Sequence, residues 1–197
     1  SLAAGAWYWF KPAAEEKKTG QAKPVAATAA GYVGSDACGS CHKVEFAEWR
    51  QSQHAKAMQH ADASTVLGDF KDARFDYNGI TSRFFMKDGR FFVNTDGADG
   101  AMADFEIKYT FGLDPMQQYL IAFPDGRLQA LSIAWDSRPA DQGGQRWFHL
   151  QPDQKVDFKD ELHWTKRTQN WNFMCSDCHS TDVRKNYDEK TDTFKTT

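Results

Sequence analysis

The sequence predicts an α+β protein in which helical or loop segments flank an antiparallel β-meander. Three observations lead to this fold class. Two-residue turn signals separate short aromatic and β-branched runs in residues 73–149, a pattern typical of hairpins. No Pro or Gly interrupts residues 43–63, so we expect one helix there, or two in line. Two Cys-x-x-Cys-His motifs lie on either side of the β section, and we expect each in a helical or loop segment.

The chain has 197 residues, of which 41% are hydrophobic and 14% aromatic, enough to bury one core. We divide it into an N-terminal anchor or signal remnant with a flexible linker (1–31), a first motif segment (32–72), the β section (73–149) and a second motif segment (150–197). Residues 32–197 are expected to form one compact domain.

Charge and hydropathy exclude several functions. The formal net charge is -3, with Lys+Arg 24 against Asp+Glu 27, so no electrostatic footprint for nucleic acid is present. The sequence contains no 20-residue apolar run, and a complete transmembrane helix is therefore not expected. Leu2–Phe10 is short and apolar, and predicts the end of a signal or membrane-anchor segment. A cleaved-signal remnant or a packed N-terminal strand is the alternative.

The four cysteines carry the clearest chemical signal. They form Cys38-Gly39-Ser40-Cys41-His42 and Cys175-Ser176-Asp177-Cys178-His179, both of which have the pattern of c-type haem attachment. Two thiols at this spacing can form thioethers with the two vinyl groups of one porphyrin, and the adjacent histidine then supplies an imidazole to the iron. The sequence therefore predicts two covalently attached haem c groups, bound through Cys38, Cys41 and His42 and through Cys175, Cys178 and His179.

Three other uses of the cysteines compete with this interpretation. Paired Cys-x-x-Cys motifs also build four-thiolate zinc sites, a single one can be a redox-active dithiol, and two short-loop disulfides would also use four cysteines. A histidine directly after both motifs favours haem. Haem attachment takes place outside the cytoplasm, so we expect a periplasmic or other extracytoplasmic protein, held at the membrane if its N-terminal segment is an anchor.

The β section follows from its turns. Asn78-Gly79 and Asp88-Gly89 are typical two-residue hairpin turns, and Pro124-Asp125-Gly126 is a third turn signal. The expected strands are Arg74–Tyr77, Ile80–Lys87, Arg90–Thr95, Asp104–Phe111, Tyr119–Phe123, Arg127–Trp135 and Arg146–His149. We expect this section to fix the two haem segments in space.

The second axial position of each iron either takes another side chain or stays open for chemistry; the other histidines are the expected ligands, with Met58 as an alternative. His42 and His54 are twelve positions apart, which is about 18 Å along a straight helix, whereas two nitrogens on one metal ion lie about 4 Å apart. If the helix is unbroken, His54 serves a haem other than the one at its own motif. His149 and His163 lie in loops or at element ends. We predict His54, His149 and His163 as axial ligands and leave out His60, which lies off the expected helix face.

Longer patterns around these residues resemble bacterial periplasmic multihaem c-type cytochromes, closest to the type in which tetratricopeptide repeats follow the haem domain. The patterns are Tyr32-Val33-Gly34-Ser35, Trp49-x-x-Ser52-x-His54-x-x-Ala57-Met58, Arg146–Leu150, Leu162–Thr165 and Gln169–Cys175. The resemblance implies haems with two histidine ligands, electron transfer, and a distal-ligand role for His54. It also implies a further haem or a repeat domain outside this chain.

Two main functions remain open on the sequence. The first is an electron-transfer protein that exchanges single electrons with redox protein partners. The second is a haem enzyme that reduces or oxidises a small nitrogen, sulfur or peroxide species at an open axial position. A structural role, with haems supporting a platform for partners, is a third. No Ser, Cys or carboxylate constellation indicates catalysis of another kind.

Overall fold

A computed structural model describes residue 31 and residues 33–197; the predicted anchor and most of the predicted linker lie outside the described residues. Within them the chain forms nine strands and three α-helices. The strands are β1 (Met58–His60), β2 (Ala73–Tyr77), β3 (Ile80–Lys87), β4 (Arg90–Asp96), β5 (Met102–Phe111), β6 (Met116–Ala122), β7 (Leu128–Ala130), β8 (Ile133–Asp136) and β9 (Arg146–His149). The helices are α1 (Lys43–Gln51), α2 (Trp171–Met174) and α3 (Ser176–His179), with 3-10 turns at Ser35–Cys38, Ala140–Gln142 and Arg167–Gln169.

The strands form one antiparallel sheet that curls into a nearly closed barrel. Seven strands follow the order β2-β3-β4-β5-β6-β8-β9, and the two ends of this path meet where the Tyr77 ring stacks on His149 with centroids 3.6 Å apart. The Tyr77 hydroxyl also donates to the Gln151 carbonyl, at 3.0 Å. β4 pairs with residues 102–106 of β5, and β1 pairs with residues 109–111 of the same strand. Residues 58–60 therefore lie alongside the barrel.

The predicted α+β class is wrong. The protein is mostly antiparallel β and 16% helical, and the segments that flank the β section are not helical haem-binding units. The predicted helix over residues 43–63 ends at Gln51, because Ser52 adopts an extended conformation and its hydroxyl donates to the Trp49 carbonyl at 2.6 Å. Met58–His60 then joins the sheet. Among the described residues, no helix combines the length and the hydropathy that a bilayer crossing requires.

The predicted hairpins are confirmed. Asn78 and Gly79 have φ of 48° and 82°, and Asp88 and Gly89 have φ of 50° and 72°, as a type I′ turn requires. These turns join β2 to β3 and β3 to β4 in antiparallel register. The predicted single strand Arg127–Trp135 is instead divided into β7 and β8, which pair with different parts of β6.

Large aromatic side chains fill the barrel. Phe84 stacks on Trp147 with centroids 3.6 Å apart, and the edge of Phe70 meets both rings. Tyr119 is fully buried, where its hydroxyl accepts from the Gly68 amide and donates to Gln117 Oε1, both at 2.9 Å. Burial raises the pKa of Tyr119, so the phenol stays protonated. This core belongs to the barrel and contains neither cysteine motif.

A β-bulge in β5 decides which side chains face outward. The register shifts between Ile107 and Tyr109, so the inward positions are Ile107 and Thr110 rather than Ile107 and Tyr109. Tyr109 and Phe111 consequently lie on the outer side. There they pack on a small second cluster formed around Leu120, Ala130 and Trp171, together with Met58 and Cys175.

Candidate functional site

The two cysteine motifs adopt the same backbone turn. In the first, the amides of Cys41 and His42 donate to the Cys38 carbonyl at 3.3 and 2.9 Å. In the second, the amides of Cys178 and His179 donate to the Cys175 carbonyl at 3.2 and 3.1 Å. One helical turn therefore carries both thiols and the histidine in each motif, which is the local arrangement that thioether attachment needs.

Buried amides anchor the second motif to the barrel. The Asn172 side chain is fully buried, accepts from the Leu128 amide at 2.7 Å and donates to Thr196 Oγ1 at 2.8 Å. Ser176, also fully buried, donates to the Asn172 carbonyl at 2.8 Å. Asn170 caps α2 by accepting from the Phe173 amide at 3.0 Å. These contacts fix the turn that carries the second cysteine pair on β7.

The first motif has no such anchor in the described residues. None of the residues of the 3-10 turn Ser35–Cys38 or of α1 is buried. Its main side-chain contact is local: the Phe46 ring lies against Gly39 and stacks on Trp49, with centroids 5.9 Å apart and planes inclined by 19°. Trp49 in turn lines the cavity described next.

His54 and His179 line the same two cavities, although they are far apart in sequence. One cavity has a volume of about 590 Å³ and the other about 740 Å³, and Cys178 lines both as well. Both volumes lie within the range of about 300–1,000 Å³ typical of cofactor sites. The structure thus places the histidine and one cysteine of the second motif beside a histidine that comes from the first motif segment.

Two contacts explain how this pair is brought together. The His179 ring meets Phe111, which the bulge in β5 turns outward, with centroids 5.0 Å apart and planes at 73°. The turn that carries His54 is tied to the same strand end, because the Gly112 amide donates to the Ala57 carbonyl at 2.7 Å. The outer end of β5 therefore positions both histidines.

His60 is a further candidate that the sequence did not reveal. It lines the smaller cavity together with His54 and His179, and its ring packs on Tyr109 with centroids 4.8 Å apart. The prediction set His60 aside because it assumed a helix at this position. Met58-Gln59-His60 carries no β-branched or aromatic signal that would have indicated a strand.

His149 and His163 lie elsewhere, inside the barrel. His163 Nδ1 is 2.8 Å from Thr165 Oγ1 and its Nε2 is 3.2 Å from Asp96 Oδ2, while His149 Nδ1 accepts from the Gln151 amide at 3.1 Å. Both line a cavity of about 30 Å³ that no cysteine reaches. The structure does not bring these two histidines to either cysteine pair, and haem ligation by them stays a prediction.

The barrel environment alters the ionisation of these buried groups. Burial alone would raise the pKa of Asp96, but the hydrogen bond and the charge of His163 outweigh it and hold the pKa below the usual value. Burial lowers the pKa of His149 and favours its neutral form. These groups form a polar network in the barrel interior, separate from the cavities that His54 and His179 line.

The donor set of the second motif fits a covalently attached porphyrin. All four cysteines are free, and among the described residues no three His, Cys, Asp or Glu side chains are placed so that together they could hold one metal ion. The two cysteine pairs thus do not form a four-thiolate cluster. Burial, and to a smaller extent Cys178, raises the pKa of Cys175, whereas redox-active dithiols have a lowered thiol pKa.

The larger cavity also offers the apolar surface that a porphyrin ring needs. Its lining combines His54, Cys178 and His179 with an apolar wall that comprises Ala57, Phe111, Leu113, Pro115, Met116 and Phe148. One thiol, two imidazoles and apolar surface line this cavity, and Cys175 lies one helical turn from Cys178; these are the kinds of group that c-type haem binding uses. The residues present therefore fit haem c at Cys175, Cys178 and His179.

Comparison with known proteins supports the same class, a c-type cytochrome with covalently bound haem c and haem-based electron transfer. Residues 37–76 match the model of the family described as cytochrome c554 and c-prime. The match includes the first cysteine motif, α1, His54 and His60, and ends within β2. Comparisons with curated proteins and with solved structures give no match.

Proposed function

We propose that this protein is a dihaem c-type cytochrome that transfers electrons in a periplasmic or other cell-envelope redox chain. Cys38, Cys41 and His42 hold one haem, and Cys175, Cys178 and His179 hold the other. His54 is the second axial ligand of the haem at the second motif. The partners are redox proteins that donate and accept single electrons.

The observation that carries this proposal is the pair His54 and His179, which line the same two cavities with Cys178. Haem bound there supplies a one-electron iron couple. The chain supplies two imidazoles, a barrel strand that positions them through Phe111 and Ala57, and apolar walls that limit water. Two histidine ligands leave no axial position for a substrate, and this favours electron transfer over catalysis at the second motif.

Spectroscopy of a histidine variant tests the ligand assignment. We expect the native protein to contain two haems per chain by pyridine haemochrome analysis and mass. In His54→Ala, one of the two haems should become high-spin and bind carbon monoxide, because its sixth ligand is removed. His60→Ala is the matched control, since His60 lines the smaller cavity but not the larger one, and it should keep the native spectrum. An unchanged spectrum in His54→Ala would exclude His54 as a ligand.

Localisation outside the cytoplasm is part of the same proposal. Covalent haem attachment is an extracytoplasmic process, and the apolar Leu2–Phe10 stretch is consistent with an exported, membrane-held chain. The resemblance to multihaem cytochromes also leads us to expect a further haem or a repeat domain outside these residues. Fractionation of the source cells, with haem staining of each fraction, tests the localisation.

A haem enzyme is the second candidate, and one observation favours it at the first motif. His42 is exposed and lines none of the four main cavities of the described residues. A haem at this motif would then have one axial position open to small ligands. A Cys175→Ser/Cys178→Ser variant, which keeps only the first haem, should bind carbon monoxide or nitrite under this hypothesis and remain low-spin under the electron-transfer hypothesis.

A further inference from the structure

The larger cavity has charged lining residues that haem attachment and axial ligation leave unexplained. They are Asp136 at the end of β8, Arg138 in the following loop and Arg146 at the start of β9. Asp114 also lines this cavity and is exposed. The lining therefore combines imidazole, thiol and apolar groups with two guanidinium and two carboxyl groups.

Arg138 is held in a fixed orientation. Its Nε donates to Asp136 Oδ1 at 2.9 Å and its Nη2 donates to Oδ2 of the same carboxylate at 2.6 Å. Asp136 is only 4% exposed, and the hydrogen bonds from Arg138 lower the pKa of this carboxyl to about 2. The buried, ionised Asp136 carboxylate holds the Arg138 guanidinium through these two hydrogen bonds. The N–H groups of Arg138 that Asp136 does not use are thereby preorganised for a second acceptor.

Arg146 adds a second positive charge near Asp136, and this charge contributes to the lowered pKa of Asp136. Its Nε donates to the Gly143 carbonyl at 2.9 Å, which orients the guanidinium. Among the described residues its terminal amino groups form no hydrogen bond or ion pair. Arg146 is exposed, and an arginine with free N–H groups beside an apolar cavity is suited to bind a carboxylate whose apolar body fills that cavity.

We infer that Arg146, assisted by Arg138 on its Asp136 support, binds the propionate carboxylates of the haem attached at Cys175 and Cys178. This inference rests on the proposed function. A porphyrin carries apolar ring surface and ionised carboxylates in one molecule, and the cavity offers an apolar wall and guanidinium groups in one space. The arginines would then act as positioning and potential-setting residues for the second haem.

Potentiometric titration of matched variants tests this inference. Loss of a positive charge beside a propionate leaves its negative charge unbalanced and favours ferric over ferrous iron. In Arg146→Gln we expect the reduction equilibrium of the second haem to fall about tenfold, equivalent to about 59 mV for one electron. Arg146→Lys should restore most of the shift because it keeps the charge. Arg90→Gln, an exposed arginine paired with Glu106, should shift neither haem.

The outcomes separate this inference from the proposed function. If neither cysteine pair carries haem by mass, the proposed function fails. If both carry haem but Arg146→Gln leaves the second potential unchanged, or shifts it no more than Arg90→Gln does, only the propionate assignment fails. Addition of acetate to the native protein at constant ionic strength should leave the second potential unchanged. A shift would mean that a free anion occupies the arginines, and this would also overturn the assignment.

Discussion

The first and second cysteine motifs share a backbone turn but are held in different ways. The second is built on the barrel: Trp171 is 4% exposed, and Asn172 and Ser176 are fully buried. The first precedes a helix with no buried residue, on which Trp49 is 42% exposed and Val44 is 67% exposed. The polypeptide itself thus fixes one attachment turn, whereas the other lacks polypeptide cover within the described residues.

This difference indicates what the cofactor contributes at each motif. At the second motif a porphyrin would enter cavities that the barrel has already formed. At the first motif it would provide apolar contact that the chain does not, next to the exposed side of α1. We therefore expect folding of the first segment to depend on haem and folding of the second to be largely independent of it.

Hydrogen exchange should show the largest contrast. In a variant with all four cysteines replaced by Ser, we expect amides of β3 to β6 to be protected about a thousandfold or more, since they open only with the barrel. Amides of residues 43–51 should exchange with little protection. The amide of Leu128, bonded to Asn172, should resemble the barrel. Strong protection over residues 43–51 without haem would contradict the comparison.

Tryptophan truncation should give the next largest effect. Trp171 packs with Leu120 and Ala130 in the small outer cluster, so Trp171→Ala should lower the free energy of unfolding by about 3–5 kcal/mol. In the same cysteine-free background, Trp49→Ala should cost less than about 1 kcal/mol because the ring is partly exposed. Urea titration of the two variants measures both values. Equal losses would mean that the two segments are equally packed.

Removal of single side-chain hydrogen bonds should give a smaller difference in the free energy of unfolding between the two cysteine-motif segments. Asn172→Ala removes the buried side-chain acceptor of the half-buried Leu128 amide and should cost about 1–3 kcal/mol. Ser52→Ala removes an exposed hydrogen bond to the Trp49 carbonyl and should cost about 0.5 kcal/mol or less. Urea titration again provides the measurement. A larger loss for Ser52→Ala would show that the end of α1 is supported more strongly than its exposure indicates.

Acid titration should give the smallest effect. Arg138 lowers the pKa of Asp136 from 3.8 to about 2, so the folded state holds this proton less tightly than the unfolded state does. The stability that Asp136 contributes is present above its ordinary pKa and is lost as pH falls through about 2. The free energies of unfolding of the native protein and of Asp136→Asn, measured by urea titration, should therefore converge as the pH falls from 4 to 2. Parallel pH profiles would show that the ion pair does not stabilise the fold.

Turn residues in the sequence predicted more of the fold than the helix-like pattern of residues 43–63 did. The Asn78-Gly79 and Asp88-Gly89 turns were predictable because few residues other than Asn, Asp and Gly adopt their positive φ angles. The end of α1 was not predictable, because residues 43–63 contain good helix formers throughout. The pairing of Met58–His60 with β5 overrides their helix propensity. Barrel closure depends on contacts such as Tyr77 with His149, which join residues that no local pattern relates.

The candidate site shows the same division. The Cys-x-x-Cys-His spacing is local and predicted both cysteine turns, and the resemblance pointed to His54, whose role as a ligand stays a prediction. The partnership of His54 with His179, and the presence of His60 beside them, arise from the pairing of β1 with β5 and from the outward position of Phe111. The sequence predicts His149 and His163 as ligands after His54 but does not show that the barrel encloses them; their ligation of haem stays a prediction.

The β-bulge in β5 decides which side chains form the wall beside His179. Without it, strict alternation from Ile107 at the present strand length would turn Tyr109 and Phe111 inward and Thr110 outward. Two aromatic rings would then enter the crowded interior, and Phe111 would leave its place against His179. Deletion of the exposed Lys108 would remove the extra residue and leave both rings on the outer side, so this part of β5 can lose a residue but cannot be straightened at its full length.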